Sequence, residues 1–241
     1  MKLLVLFVFH KYNSRVKNFI ERCIYEDENV DFIVISNNKD NVFEVPDNVK
    51  TLFRDNIGYD FGGWSDALLT DDLYESYDKF IFVNSSVFGP FFHQPFNGRW
   101  TDFYINGLQS NIKLFGSTIC ADKNPKSEAH VQSYIFSMDK ITLQYLIDCE
   151  IFSLTNYAKT YEDAIREKEI LMSRKIIQNN WNIGSLLSYY NGVDFTFTTK
   201  QPEDYDIKFL GDIMWCNYIN RIWTPEEVVF IKGNRIGIVG M

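Results

Sequence analysis

The chain has 241 residues, 46% hydrophobic and 17% aromatic, with 32 acidic against 24 basic side chains and a net charge of −8. That length accommodates one large α/β domain with a well-buried core, and the negative balance argues against a general affinity for nucleic-acid backbone or anionic lipid. Four widely spaced cysteines, Cys23, Cys120, Cys149 and Cys216, with no C-x-x-C pair, suggest neither a zinc site nor a disulfide framework and fit a reducing, cytoplasmic setting.

Leu3 to Phe9 is a continuous apolar run, as expected of a central parallel strand covered on both faces. The first residues imitate a signal peptide, but the run is short and passes into His10-Lys11-Tyr12-Asn13 without a small-residue cleavage site, so a buried strand is expected. Asn13-Ser14 offers a cap for a helix carrying Val16, Phe19, Ile20 and Cys23 at helical spacing. Asp31 to Asn37 reads as a second strand and Val49 to Phe53 as a short third, ending at Arg54. Gly62 to Leu69 opens a second helix with Trp64 and Leu68 one turn apart, and Lys79 to Val83 is a fourth strand. This order of elements is a nucleotide-binding half of the Rossmann type, occupying residues 1–90.

In residues 91–241 the pattern predicts a short helix from Trp100 to Leu108, a strand from Ile112 to Cys120, and another from His130 to Met138 feeding a helix from Lys140 to Cys149. Tyr161 to Asn180 carries Ile165, Ile170, Leu171, Ile176 and Ile177 among charges and is an amphipathic helix, closed by Trp181-Asn182-Ile183-Gly184. The segment from Pro225 to Lys232 is a short apolar stretch between acidic and basic ends. No segment has the length of an apolar transmembrane helix, and there is no internal repeat or interdomain linker, so a single domain is expected over 1–241.

Two segments concentrate polar groups and glycines directly after short apolar strands: Arg54 to Trp64 (RDNIGYDFGGW) and Phe80 to Pro90 (FIFVNSSVFGP). Open α/β sheets bind ligands in the crevice beyond the strand carboxyl ends, so both are expected to face one pocket. Gly58, Gly62 and Gly63 would let backbone amides approach a phosphate or ribose, while Asp60 and Asn56 bond hydroxyls, which reads as a sugar-nucleotide site. His10, Ser36, Arg54, Asn56, Asp60, Gly62, Asn84, Ser85 and Ser86 are its expected donor contacts. His130 and Gln132 share one face of their strand and are expected on the acceptor side. His93 has no evident partner.

The segments Asn56-x-Gly58-x-Asp60-x-Gly62-Gly63-Trp64 and Val83-Asn84-Ser85-Ser86-Val87-x-Gly89-Pro90-Phe91 resemble, in order, motifs of the rhamnan-synthesis-protein-F-like glycosyltransferases. The resemblance continues through Lys113-Leu114-x-Gly116-Ser117-Thr118, His130-Val131-Gln132-Ser133-Tyr134, Glu169-x-x-Met172-Ser173 and Glu227-Val228-Val229-Phe230-x-Lys232-x-Asn234-Arg235. The chain is also similar to the GT-A domain of a chlorella-virus enzyme that builds capsid glycans, which would place it in a host cytoplasm. The resemblance implies a GT-A fold, with a mostly parallel sheet flanked by helices, and transfer of a sugar such as rhamnose from a UDP-, GDP- or dTDP-sugar to a glycan hydroxyl.

In GT-A enzymes the position of Asn84-Ser85-Ser86 usually carries Asp-x-Asp to hold Mg²⁺ or Mn²⁺. Neutral oxygens hold a hard cation far less tightly, so any metal is expected to be weakly held, with Lys232 and Arg235 supplying charge to the leaving diphosphate from a C-terminal lid. An inverting transfer needs a carboxylate base. Glu169 is the candidate, beside Ile170, Leu171 and Met172 and matching the family's acidic position, with Asp122 and Asp139 as rivals. The alternatives are a noncatalytic nucleotide-sugar or glycan-binding module and a nucleotidyltransferase, although a Gly-rich triphosphate loop is missing.

Overall fold

The computed structural model describes residues 1–122, 124–214 and 222–233. The first apolar run forms β1 (Leu3–Phe9), buried along its whole length. In α1 (Ser14–Cys23) the cap is Asn13, whose Oδ1 accepts from the amides of Arg15 and Val16, and Val16, Phe19, Ile20 and Cys23 turn inward as their spacing predicts. β2 (Val30–Ser36), β3 (Lys50–Phe53), α2 (Tyr59–Leu69) and β4 (Lys79–Asn84) follow. α2 starts three residues before the Gly62-Gly63 pair because Gly58, at φ 75°, takes the left-handed turn that launches it.

The glycine pair has a packing role. A β-carbon on Gly62 would overlap the Ile57 carbonyl oxygen, and one on Gly63 would lie 2.8 Å from Val8 Cγ2. Their absence lets α2 lie close against β1. Trp64, projecting from that helix, meets Phe82 of β4 edge-on at 5.5 Å.

β5 (Val87–Phe88), α3 (Trp100–Asn106), β6 (Ile112–Gly116), β7 (Ile119–Cys120), α4 (Pro125–Glu128), β8 (His130–Val131), β9 (Ile135–Asp139) and α5 (Lys140–Asp148) continue the chain. The two strands predicted over 112–120 and 130–138 are each broken in two. The buried hydroxyls of Ser117 and Thr118 bond inward, to the Val228 carbonyl at 2.9 Å and to Gln132 Oε1 at 2.7 Å, so neither run stays in one ladder. β6 and β9 enter the main sheet, while β7 and β8 form a separate antiparallel pair.

The predicted amphipathic helix is continuous over residues 161–178: α6 (Tyr161–Asp163), a π-helical stretch (Ala164–Ile170) and α7 (Leu171–Gln178). The residues expected only to close it begin a further strand, β10 (Asn182–Ser185), beside β6. Near the end of the described chain, α8 (Pro225–Val228) leads into β11 (Ile231–Lys232), which pairs antiparallel with β5.

The main sheet has seven strands in the order β10-β6-β9-β4-β1-β2-β3. β1 is parallel to β2 and β4, β2 to β3, and β6 to β10, whereas β9 runs antiparallel to both of its neighbours. The result is a mixed α/β fold with a largely parallel sheet flanked by helices. Phe136 of β9 stacks on Phe82 at 4.8 Å, and Phe152 closes on Phe82 at 5.1 Å, so early and late parts of the chain share one core. Much of the aromatic excess is spent here. Among the described residues, no helix is long and apolar enough to cross a membrane.

Candidate functional site

β1 and β4 are parallel neighbours with Val8 opposite Asn84. His10, just past β1, and Asn84-Ser85-Ser86, at the end of β4, therefore emerge at the same sheet edge. The loop after β3 brings Asn56 to them, and the first turn of α2 brings Tyr59, Asp60 and Phe61. Facing these are Tyr161, Ala164, Ile165 and Glu169 of the 161–178 helix, Ser133 from the turn between β8 and β9, and Lys232 of β11. Together they line a cavity of about 320 Å³, within the span of roughly 300–1,000 Å³ typical of small-molecule sites.

Asn84 is fixed at both ends of its amide. Its Nδ2 donates to Asp60 Oδ2 at 2.9 Å, and its Oδ1 accepts from the Ser86 amide at 2.9 Å and from the Ser86 hydroxyl. Burial pushes the Asp60 carboxyl up to about 6; the Asn84 bond opposes this and the negative charge of Glu169 adds to it. Glu169 Oε1 accepts from the Ser133 amide at 2.8 Å, which leaves Oε2 for other work. His10 Nδ1 is 2.9 Å from the Asn37 carbonyl, an acceptor only, so Nδ1 carries the proton and a neutral ring keeps a lone pair on Nε2.

Lys232 is the one Lys or Arg among the described lining residues. Its ammonium lies over the Tyr134 ring, 5.9 Å from the centroid, and the Tyr134 hydroxyl donates to the Phe230 carbonyl two residues earlier at 3.4 Å. The turn just before β11 is tight. Val229 has φ 62° and ψ −46°, and the Phe230 amide bonds the Val228 carbonyl at 2.6 Å, the geometry of a γ-turn that a β-branched residue rarely adopts. Outside bonds hold it: Ser117 Oγ and, at 3.4 Å, the Tyr104 hydroxyl donate to the Val228 carbonyl, and the Phe91 amide donates to the Val229 carbonyl at 2.8 Å.

The π-helical stretch explains the face opposite. In an α-helix, a step of four residues overshoots a full turn, so residues 161, 165 and 169 would drift around the axis. The wider π turn, with its i→i+5 bonding, offsets that drift. Tyr161, Ile165 and Glu169 all reach the cavity.

Of the residues expected from sequence, His10, Asn56, Asp60, Asn84, Ser85, Ser86, Glu169 and Lys232 are brought together. Others are spent on internal bonds and do not line this cavity. Arg54 donates to Asp66 at 2.6 Å, to Asn37 Oδ1 at 2.8 Å and to the Ile57 carbonyl at 2.7 Å, which braces the loop carrying Asn56. Ser36 donates to the Asn38 carbonyl at 2.7 Å, and Gly62 is buried against Ile57. Gln132 is bonded to Thr118, and His130 Nδ1 to the Glu128 carbonyl at 2.7 Å. Arg235 lies outside the described residues.

Neither rival acid lines the cavity. Asp139 sits beside Lys79, at the start of β4 and the far end of the sheet. It caps α5; burial would raise its carboxyl, but bonds from Thr142 and Lys113 outweigh that and hold it below the ordinary value. Sequence reasoning missed Tyr59, Phe61, Ser133, Tyr161, Ala164 and Ile165. The first three lie inside segments already singled out, and the recurrence of Tyr161, Ile165 and Glu169 at steps of four was the available signal for the helix face.

The raised Asp60 carboxyl links site chemistry to stability. The native state holds that proton more tightly than the unfolded chain, so stability attributable to Asp60 falls as pH rises from about 4 through about 6, and the cost is complete above that window. Asp60→Asn, which keeps an acceptor for Asn84, is expected to be more stable than the parent at pH 8 by about 1–3 kcal/mol and to lose that advantage near pH 4. Urea unfolding at the two pH values measures it; an equal difference at both would show that Asp60 titrates normally.

The cavity is polar and partly acidic and lies at the carboxyl ends of the parallel strands of a mixed α/β sheet, the place where open α/β sheets bind their ligands. Residues 32–210, more than half of the chain, match the model of the family described as rhamnan synthesis protein F. The chain belongs to that family, which associates it with glycosyltransferase-like proteins. Two curated relatives, both described as virulence protein VirA of Vibrio anguillarum and one from strain ATCC 68554 / 775, are 29% identical over 154 residues. The match covers 62% of this chain and 41% of each relative, so the chain spans less than half the length of these relatives. Among solved structures, a cytidylyltransferase from Leptospira borgpetersenii serovar Hardjo-bovis (strain JB197) aligns over 100% of this chain and 94% of its own with 13% identity and a TM-score of 0.41, too distant to bear on activity.

Proposed function

We propose that the chain is one GT-A glycosyltransferase unit that moves a sugar, such as rhamnose or another hexose, from a nucleoside-diphosphate sugar to a glycan hydroxyl with inversion. The observation that carries this reading is the convergence of Asp60, Asn84, Glu169 and Lys232 on one cavity at the strand ends. Asp60 and Asn84, locked to each other, are suited to orient hydroxyls of the donor. Glu169 offers Oε2 to take the acceptor proton as the acceptor oxygen bonds to the anomeric carbon. The bond from that carbon to the diphosphate breaks on the opposite face, and Lys232 stabilises the charge that collects there.

Among the described residues no group of three or more His, Cys, Asp or Glu side chains is placed to hold a metal ion. Asp60 and Glu169 are the two carboxylates among the described lining residues. Mg²⁺ takes about six oxygen ligands, so these two would hold Mg²⁺ or Mn²⁺ weakly, with donor phosphates and water completing the shell. When bound, such an ion would neutralise diphosphate charge.

The test is a thermal-shift panel of UDP-, GDP- and dTDP-sugars with and without Mn²⁺, since ligands that bind the native state raise the melting temperature. One nucleotide class is expected to stand out, and Asp60→Ala is expected to weaken its binding by about 1–3 kcal/mol in calorimetry. Binding without release of nucleoside diphosphate in the presence of glycan acceptors would instead indicate a noncatalytic binding module.

A further inference from the structure

We infer that the cavity opens into a second subsite that holds the next sugar unit of the acceptor, so that the acceptor is a carbohydrate chain of at least two units. This rests on the transferase reading above. A separate depression of about 390 Å³ adjoins the cavity and shares Asn56 and Tyr59 with it as a common wall; beyond that wall it is lined by Ile57, Tyr157 and Lys159, among others.

The wall is stiff and its surface is amphipathic. Ile57 leaves 55% of its area exposed while its carbonyl is clamped by Arg54. Tyr157 donates its hydroxyl to Asp66 at 2.6 Å, and Asp66 is itself bound to Arg54, so the ring is locked. That ring lies against the bare Cα of Gly58, where any β-carbon would come within 2.7 Å of it. Tyr161, 69% exposed, meets Tyr59 edge-on at 6.3 Å on the rim. Rings and an aliphatic side chain next to an amide and an ammonium suit a ligand that alternates apolar ring faces with hydroxyl edges, which describes an oligosaccharide.

Continuity decides which substrate takes the groove. The rim runs from Glu169 through Ile165 and Tyr161 to Tyr59, and the base must touch the acceptor hydroxyl. The surface continuous with Glu169 therefore belongs to the acceptor, whereas the donor diphosphate belongs by Lys232 and the β4 end.

The experiment compares wild-type protein with the Ile57→Ala, Lys159→Ala double variant, whose altered side chains lie outside the main cavity. The probes are nitrophenyl rhamnosides of one, two and three units, together with donor hydrolysis in the absence of acceptor. Wild-type kcat/KM is expected to rise about tenfold from one unit to two, as burial of one aliphatic side chain against the second ring predicts. The variant is expected to lose most of that gain through KM, with donor hydrolysis and transfer to the one-unit probe unchanged. Equal kcat/KM for all three lengths overturns the subsite, as does a length dependence that the variant retains. Weakened donor binding in the variant assigns the groove to the nucleotide and also overturns it. Absence of donor hydrolysis and transfer in the wild type removes the transferase reading itself, a result distinct from loss of length dependence alone.

Discussion

Glu169→Gln is expected to lower sugar transfer by roughly 10²–10⁴-fold while leaving nucleotide-sugar affinity unchanged, because a general base acts on the acceptor proton only as the transition state forms. The substitution suits the site. Glutamine keeps an oxygen for the Ser133 amide, which Glu169 Oε1 accepts at 2.8 Å, so the turn between β8 and β9 stays in place while the proton-accepting carboxylate is lost. Glu167, two residues away and exposed, provides the control and Glu167→Gln is expected to transfer at the parental rate. Steady-state kcat with saturating donor, set beside donor affinity from calorimetry, separates the roles. Equal, near-normal rates in the two variants would leave Glu169 as a structural acid.

Lys232→Ala is expected to reduce kcat by about 10²–10³-fold, the usual effect of removing one positioned group that stabilises developing negative charge. Its backbone amide remains bonded to Met214 Sδ at 3.3 Å and the β5–β11 pairing is unaffected, so the loss would be chemical. A titration with EDTA and then Mn²⁺, run on both proteins, shows which cation serves the diphosphate. Wild-type activity is expected to survive chelation in part, and Mn²⁺ to restore some of the variant's rate. Complete, metal-reversible loss in the wild type, with little effect of Lys232→Ala, would give the role to the metal.

The legible part of the molecule is the part governed by local pattern. Leu3 to Phe9 is apolar at every position, and Val16, Phe19, Ile20 and Cys23 mark one face of a capped helix; these signals need no distant partner. His10 and Asn84 could be placed at the site for the same reason, since the end of a parallel strand fixes where the next residue emerges. Arg54 shows the limit. Next to a glycine-rich loop it reads as a donor contact, but its guanidinium is spent on Asp66, Asn37 and Ile57, and no local spacing announces those bonds. The broken strands at Ser117-Thr118 and Gln132–Tyr134 have a similar origin: long-range hydroxyl bonds, including one to a carbonyl of the C-terminal segment, override an otherwise strand-like pattern. Tyr161 was overlooked because an exposed tyrosine in a charged first turn looks like surface until the π-helical turn aligns it with Glu169.

The pairing of β11 with β5 sets an order on biosynthesis. Lys232 lies opposite Val87, directly after the Asn84-Ser85-Ser86 turn, yet it is translated long after it. While the ribosome is still at work, the strand ends, Asp60 and then Glu169 are available in sequence, but the lining remains without its lysine until residue 232 has emerged. A nascent or prematurely terminated chain could thus hold most of the fold with little turnover. A fragment trimmed to the matched span 32–210 differs: it lacks Lys232 and also β1, the buried strand between β4 and β2, so it is not expected to hold the sheet. On the proposed reading, an expression vector meant to yield active protein extends through the γ-turn at Val229 and the short strand that follows it.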